Sequence, residues 1–394
     1  MICLEAQYFN LNRILLQGTA QWPFEQSKLV RLQFIINWTI LVSAIICQIT
    51  TFFTSKFTPT FAVKAFSCIL PIIVATIHYT SFRFNIKTLK DLLEQLHYAC
   101  SKLKDKKEIA IIQEYGRTAK RYTAGFVVLA FSAESALWTI QIAIPYLDDV
   151  TPINGCRLHR LYIAVEYFID QEKYYYVILI HMNVALFIGT LTVIATGTLM
   201  LMFFQHACGM FKIACYRIEH AIEINALTNI SFNSEPSISK KIVYAVDIHR
   251  EAMKITDHLM NSFDPTYFCL TVLAVITMSL NLFQISEAII LEGNIGEAIM
   301  PTISVVGLFI YTFLGCAFGQ HITDYNNEVY AAAYNIRWYL CPQHVQRLIV
   351  LMLQRKAKQF HLTCGGLFIA SYECFAMVAK ATMSYFTLMH STRS

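Results

Sequence analysis

Residues 176–204, YVILIHMNVALFIGTLTVIATGTLMLMFF, run for 29 positions without one Asp, Glu, Lys or Arg. As an α-helix at 1.5 Å per residue this stretch extends about 43 Å, beyond the ~30 Å of a bilayer's hydrocarbon core. It therefore reads as a helix that crosses a membrane and continues into water. Six more apolar runs, 34–54, 61–82, 123–145, 266–291, 298–318 and 362–389, each reach the roughly 20 residues a span demands. The fold class that follows is an all-α membrane protein with seven transmembrane helices. Composition agrees, with 56% hydrophobic and 14% charged residues against about 25% charged in soluble domains.

The basic residues sort by connection. Of 31 Lys and Arg, three lie in the head of the chain, ten in 83–122, six in 205–265 and five in 319–361; the alternate connections and the tail hold five. Lys64 and Lys380 lie inside runs. Since the Lys and Arg bias near span ends marks the cytoplasmic side, the N-terminus is expected inside and the tail outside. That orientation is the reverse of a G-protein-coupled receptor, and the third run ends in Pro145-Tyr146-Leu147-Asp148 instead of an inner Asp-Arg-Tyr. The net charge of +5 is a topology signal, spread over separate segments, and no nucleic-acid partner is expected. No cleavable signal peptide is expected either, because 33 mostly polar or amphipathic residues precede a first run of span length.

The organisation read from this pattern is a cytoplasmic segment 1–33, helices one to four within 34–204, an inner helical extension 205–265, helices five and six within 266–318, a second inner segment 319–361, a last helix 362–389 and an extracellular tail 390–394. Ile213, Ile218, Ala221 and Ile222, then Ile242, Val246 and Met253, recur near helical spacing, so helix extensions forming an inner bundle are expected. Asp148, Asp149, Pro152, Asn154 and Gly155 make 146–175 an outer lid rich in turn formers. Of twelve cysteines only Cys156 falls outside, which leaves no disulfide framework there. The two sequons, at Asn37 and Asn229, lie in a span and an inner loop and should carry no sugar. No internal repeat supports a duplicated transporter.

Ionisable residues in a bilayer cost about 2.5 to 3.5 kcal/mol at its centre, so each asks for a reason. Lys64 and Glu287 lie near outer span ends, where snorkelling suffices. Glu134 sits midway along the third run, one turn from Trp138 and two from Gln141, a polar and aromatic stripe that can line a pocket or pack as a hydrogen-bonded core residue. In the last run Lys380, Ser384, Thr387 and Ser391 recur at spacings of four, three and four, with Leu388 set among them. Such a face suits another helix or an aqueous path, and a large apolar residue among hydroxyls is one way to build a dewetting gate. An enzymatic reading would have to assemble Glu134, His181 and His78, which lie on different runs without an H-E-x-x-H or carboxylate cluster. No catalytic residues, metal or cofactor are expected.

The C-terminal third carries an ordered set of residues: Trp338-Tyr339, Pro342, Arg355, Leu362-Thr363 before Gly365-Gly366, Phe368, Phe375, Val378, Lys380 and the closing Ser384-Tyr385-Phe386-Thr387-Leu388. In these the chain resembles the insect odorant receptor family, seven-span ligand-gated channel subunits. The resemblance implies that the last helix of each of four subunits surrounds a cation pore. It puts the gate at Leu388, flanked by Ser384 and Ser391, with Thr387 and Lys380 on the same helix. It further implies a pocket for a small volatile organic ligand in the outer halves of spans two, three, four and six. By depth and facing, that pocket maps onto Ser67, Pro71 and Ile72; Ser135, Trp138 and Ile142; Met182 and Leu186; and Thr302, Val305 and Val306. The partner implied is the odorant co-receptor, in a heterotetramer in the plasma membrane of a sensory dendrite. The fourth connection lacks the co-receptor's enlargement, so the chain resembles a tuning subunit. A gustatory-type or pheromone-type channel subunit is the alternative; the gustatory branch favours Thr-Tyr and an ending in Gln-Phe, where Leu388, Met389 and His390 stand here.

Overall fold

A short amphipathic helix, α1 (Asn10–Gly18), precedes the first membrane-length helix, α2 (Lys28–Ile49), whose start is set by the Ser27 hydroxyl accepting the amide of Val30 at 3.2 Å. Such a cap satisfies an amide that has no partner within the helix. The computed structural model describes residues 9–54, 56, 58–150, 165–226, 235–290, 295–355 and 360–392, with all side chains among these except 142–150, 222–226, 235–237, 295 and 340. One turn, α3 (Thr51–Thr54), follows α2. Next, α4 (Pro59–Phe84) starts with Thr58 as cap and Pro59 in the first turn, where proline's missing donor costs nothing. Then come α5 (Ile86–Ser101), α6 (Lys106–Val150), α7 (Tyr175–Ala226), α8 (Glu235–Ile290), α9 (Ile295–Asn335), a 3₁₀ turn (Trp338–Leu340) and α10 (Gln343–Arg355). A two-stranded antiparallel hairpin, β1 (Thr363–Cys364) and β2 (Phe368–Ile369), leads into α11 (Tyr372–Ser391).

Among the described residues six helices are long and apolar enough to cross a membrane: residues 28–54 and helices α4, α6, α7, α8 and α9. With 20 residues α11 has the length of a seventh, but Glu373, Lys380 and a hydroxyl-rich face lower its apolarity. The 52 residues of α7 and the 56 of α8 make helices of about 78 and 84 Å. Both run far past any hydrocarbon core, and they form the axis of the fold: α7 packs on α6, α8 and α9, and α8 also receives α4 and α11.

The largest buried cluster occupies the half of the bundle away from the 165–174 connection. Phe82, Phe203, Phe211 and Phe263 fill it with Leu89, Leu92, Ile112, Leu259, Ile322 and Val329, drawn from α4 to α9. At full burial each such side chain contributes roughly 1.5–3 kcal/mol relative to exposure in water. At its edge Arg217 of α7 forks onto the Glu108 carboxylate of α6 at 2.6 and 2.9 Å and donates to the Tyr244 carbonyl at 2.9 Å. A second cluster, Leu41, Ile72, Tyr79, Ile178 and Met182, joins α2, α4 and α7 in the other half. A third seats Val345 and Ile349 of α10 against Ala221 and Ile242.

The last apolar run departs from its sequence reading. Helix was expected from 362, whereas the helix begins at Tyr372, with Ser371 as its cap, and residues 363–369 form the hairpin. The cause is local. Gly365 and Gly366 both take φ of +65°, a left-handed conformation that costs glycine little and other residues about 1–2 kcal/mol. The hairpin is then pinned: the Gly365 amide donates to the Asp264 carboxylate at 2.6 Å, Phe368 stacks on Phe268, and the Ala370 amide closes on the Leu362 carbonyl at 2.8 Å. Gly319 of α9 lies directly against the Ala370 backbone, with no room for a side chain.

Candidate ligand pocket and pore helix

Two consecutive helices, α6 and α7, run antiparallel, and the polar residues of one meet those of the other in matching steps. The Thr190 hydroxyl donates to the Glu134 carboxylate, and seven residues further up α6 and back along α7 the Asn183 amide donates to Gln141 at 2.7 Å. Two polar layers about 10 Å apart result. Glu134 Oε2, Gln141 Nε2 and Asn183 Oδ1 are buried with no hydrogen-bond partner among the described residues. Each such group is costly in an apolar setting unless a water or a polar ligand atom reaches it. Trp138 lies about 40° and Ser135 about 100° around α6 from Glu134. Trp138 is 38% exposed, and Ser135 is exposed with its hydroxyl returned to the Ser132 carbonyl.

The other residues assigned to a pocket divide between packing and open surface. Ile72 and Met182 come together, fully buried with Leu41 and Tyr79, and Leu186 flanks them. Pro71 is half-buried inside α4. Ser67 is buried, its hydroxyl 2.5 Å from Gln284 of α8. On α9 Val305 is half-buried, Val306 is 51% exposed, and exposed Thr302 turns its hydroxyl back to the Ala298 carbonyl. The side chain of Ile142 and residues 151–164 of the 146–175 lid lie outside the described residues.

Polar contacts the sequence did not reveal tie this half together. Lys64 of α4, its side chain partly exposed, pairs with Glu297 of α9, and Glu287 is buried where surface exposure was expected. His78 lies between Thr196 of α7 (3.5 Å) and Tyr311 of α9 (3.3 Å). His181 bridges Ser43 of α2 (3.0 Å) and Tyr167 of the third connection (2.5 Å). Glu134, His78 and His181 thus each bond to a different set of neighbours.

On α11 the buried residues are Cys374, Val378 and Thr382, one row at four-residue spacing, and Val378 packs on Ala274 and Met278 of α8. Ser279 donates to the Thr382 carbonyl at 3.2 Å. Lys380, Ser384, Thr387 and Ser391 are all exposed, on a face centred about 150° around the helix from that row, and Leu388 beside them is 57% exposed. Thr387 and Ser391 return their hydroxyls to the carbonyls of Ser384 and Leu388, which satisfies each hydroxyl within its own helix.

These features define a multi-helix membrane protein with long extensions of its middle helices and an exposed polar face on its last one. The chain belongs to the 7tm odorant receptor family, whose sequence pattern matches residues 58–383. It is 22% identical over 169 residues to the odorant receptor coreceptor of Anopheles gambiae, a stretch that is 42% of this chain and 33% of that protein. To odorant receptor 9a of Drosophila melanogaster it is 20% identical over 198 residues, 50% of this chain and 47% of that one. The matched stretches thus span between a third and a half of these relatives. In fold it is similar to the insect olfactory receptor OR5 from Machilis hrabei in complex with eugenol, with a TM-score of 0.78 at 14% identity, covering 99% of this chain and 98% of that one.

Proposed function

We propose that the chain is a tuning subunit of an odorant-gated cation channel: it binds a small volatile organic molecule among the outer halves of α4, α6, α7 and α9 and opens a pore together with the odorant co-receptor. The observation that carries this reading is the exposed face of α11. In a chain whose other long helices suit lipid, a row of Lys380, Ser384, Thr387 and Ser391 suits water or the last helices of neighbouring subunits. Leu388 is the gate residue, because an apolar side chain in a narrow pore disfavours water and hence ions. The unpartnered polar atoms of Glu134, Gln141 and Asn183 support an outer site that takes a hydroxyl or carbonyl, with Trp138 supplying an aromatic wall and Ser67, Pro71, Ile72, Met182, Leu186, Thr302, Val305 and Val306 the surround. The N-terminus and the extensions of α7 to α10 are cytoplasmic, the tail is extracellular, and the working membrane is the dendritic plasma membrane. The partner is the co-receptor, in a heterotetramer.

Expression in cells that lack odorant receptors, with and without the co-receptor, tests this by ionic current against a panel of volatiles. Current is expected only from the pair. Robust odorant-gated current from this chain alone would remove the partner from the reading, and delivery of both chains with no current to any volatile would remove the channel.

A further inference from the structure

Arg83, in the last turn of α4, is a cation without a counter-anion. Its guanidinium lies 5.0 Å over the Phe34 ring of α2, and its Nη1 is buried with no hydrogen-bond partner. Among the described residues it makes no ion pair. The ring beneath it is held in place: Phe34 stacks on Tyr79 at 4.9 Å, the Tyr79 hydroxyl donates to the Thr19 carbonyl at 3.0 Å, and Gln21 donates to the Tyr79 carbonyl at 2.8 Å. A cation–π contact offsets only part of the cost of a guanidinium turned from water on one side with its donors unfilled. The side chain as a whole is half-buried, so its open edge can still take an acceptor. Arg31, exposed one turn before Phe34 on α2, is likewise unpaired, as are Lys28 at the start of that helix and Lys87 one turn past Arg83. The carboxylates of this region do not neutralise them: Glu25 accepts from Arg13 and Gln17, Glu94 lies 3.8 Å from Lys90, and Asp91 pairs with none of the four. Around these cations the surface is apolar, with Leu29, Leu32, Ile36 and Phe84 exposed.

We propose that Arg83 and Arg31 hold the headgroup of an anionic phospholipid, whose acyl chains run along Leu32, Ile36 and Phe84. A guanidinium presents a planar fork of donors that matches two oxygens of a phosphate, and a second arginine on the neighbouring helix meets the remaining charge. The apolar surround decides where the phosphate comes from. A free phosphate ester or an acidic peptide would leave Leu29, Leu32 and Phe84 in water, whereas a lipid covers them with hydrocarbon. The depth fits as well, because Arg83 closes one apolar helix and Arg31 opens another, where hydrocarbon gives way to headgroups. That this end of the bundle is cytoplasmic rests on the reading above, and anionic lipids are concentrated in that leaflet. The binding itself does not depend on the orientation.

Native mass spectrometry of the full-length chain in detergent tests this, by titration with dioleoyl phosphatidylserine and, separately, with dioleoyl phosphatidylcholine, which carries the same acyl chains. The wild-type chain should prefer the serine lipid about tenfold, the size of one charge-assisted contact. Arg83→Gln should remove most of that preference, and Arg83→Lys, which keeps the charge but not the fork, should retain part of it. Lys254→Gln, on the exposed surface of the α8 extension, should leave the preference unchanged. Glycerophosphoserine, the headgroup without its chains, should fail to compete at equal concentration. Equal affinity of the wild type for the two lipids overturns the proposal. So does a preference that survives Arg83→Gln or falls equally with Lys254→Gln, and so does full competition by glycerophosphoserine. Arg31→Gln alters an exposed side chain and keeps the test decisive where Arg83→Gln folds poorly, since an undiminished preference in that variant also overturns the two-arginine site. The measurement uses no odorant and no current, so its failure leaves the channel reading where it stood.

Discussion

Gly319 offers the sharpest test of how the last helix is held. A Cβ at this position would lie 3.0 Å from the carbonyl carbon of Ala370 and closer still to its oxygen and Cβ, so Gly319→Ala must push the end of the hairpin about 1 Å off α9. Overpacking against backbone costs about 1–3 kcal/mol, and the rigidity of the pinned hairpin puts this site at the upper end. Alanine also gains about 1 kcal/mol over glycine inside a helix. The net is a loss of about 2 kcal/mol. Gly307, on the same helix with nothing within 4 Å of its would-be Cβ, supplies the control, because Gly307→Ala takes the helix gain without the clash. The two variants should therefore differ by about 3 kcal/mol, the steric cost alone. Fluorescence-detected size exclusion of the heated, detergent-solubilised chain would read this as a melting gap of several degrees, with Gly319→Ala below the parent and Gly307→Ala at or above it. Gly319→Ala melting at or above Gly307→Ala would refute the close approach of α9 to the hairpin.

Arg217→Ala should lower folded yield sharply, by about 3–5 kcal/mol, since it strands the Glu108 carboxylate, whose side chain is 8% exposed; Arg217→Lys should recover part of this, and equal yields for all three would show the fork to be unimportant. An epitope at the N-terminus should need permeabilised cells for staining and one after Ser394 should not; the opposite pattern would end the orientation assigned from the basic residues. Cysteines placed at 384, 387, 388 and 391 should react with water-soluble thiol reagents from outside and change odorant current, least at 387 if Leu388 faces the pore axis, whereas unchanged current at all four would put this face in a packed interface. Leu388→Ser should raise resting current by making the constriction easier to wet, and a resting current equal to the parent's would count against the gate.

The membrane fold was legible because hydrocarbon demands long uninterrupted apolar runs, and runs such as 176–204 have few other readings. The hairpin at 363–369 was not, although its signal stood in the open: Gly365-Gly366 was outweighed by the apolar length of Leu362 to Ile369, which serves a buried turn as well as a span. On α6 Glu134 and Gln141 stood out as polar residues in an apolar run. Their partners Asn183 and Thr190 did not, because small polar residues within a 29-residue apolar run carry no signal until the antiparallel register of α6 and α7 is known. The Lys64–Glu297 pair joins residues 233 positions apart, and no local pattern reports such a contact.

The single buried row on α11 also has a mechanical meaning. Beyond its first turn, where Tyr372 and Phe375 also meet Phe309 and Phe313 of α9, the helix is held along one line, at Val378 and Thr382, and its softest motion there is a swing about that line, as a door turns on its hinges, while sliding along its axis would break every contact in the row at once. A swing of about 20° about that line carries a side-chain tip 10 Å away through roughly 3.5 Å, and 10 Å is the order of a helix's own diameter. Residues on the far face, Lys380 and Ser384 among them, therefore travel furthest for the least disturbance of packing, and the residues that travel least are Val378 and Thr382, which meet α8.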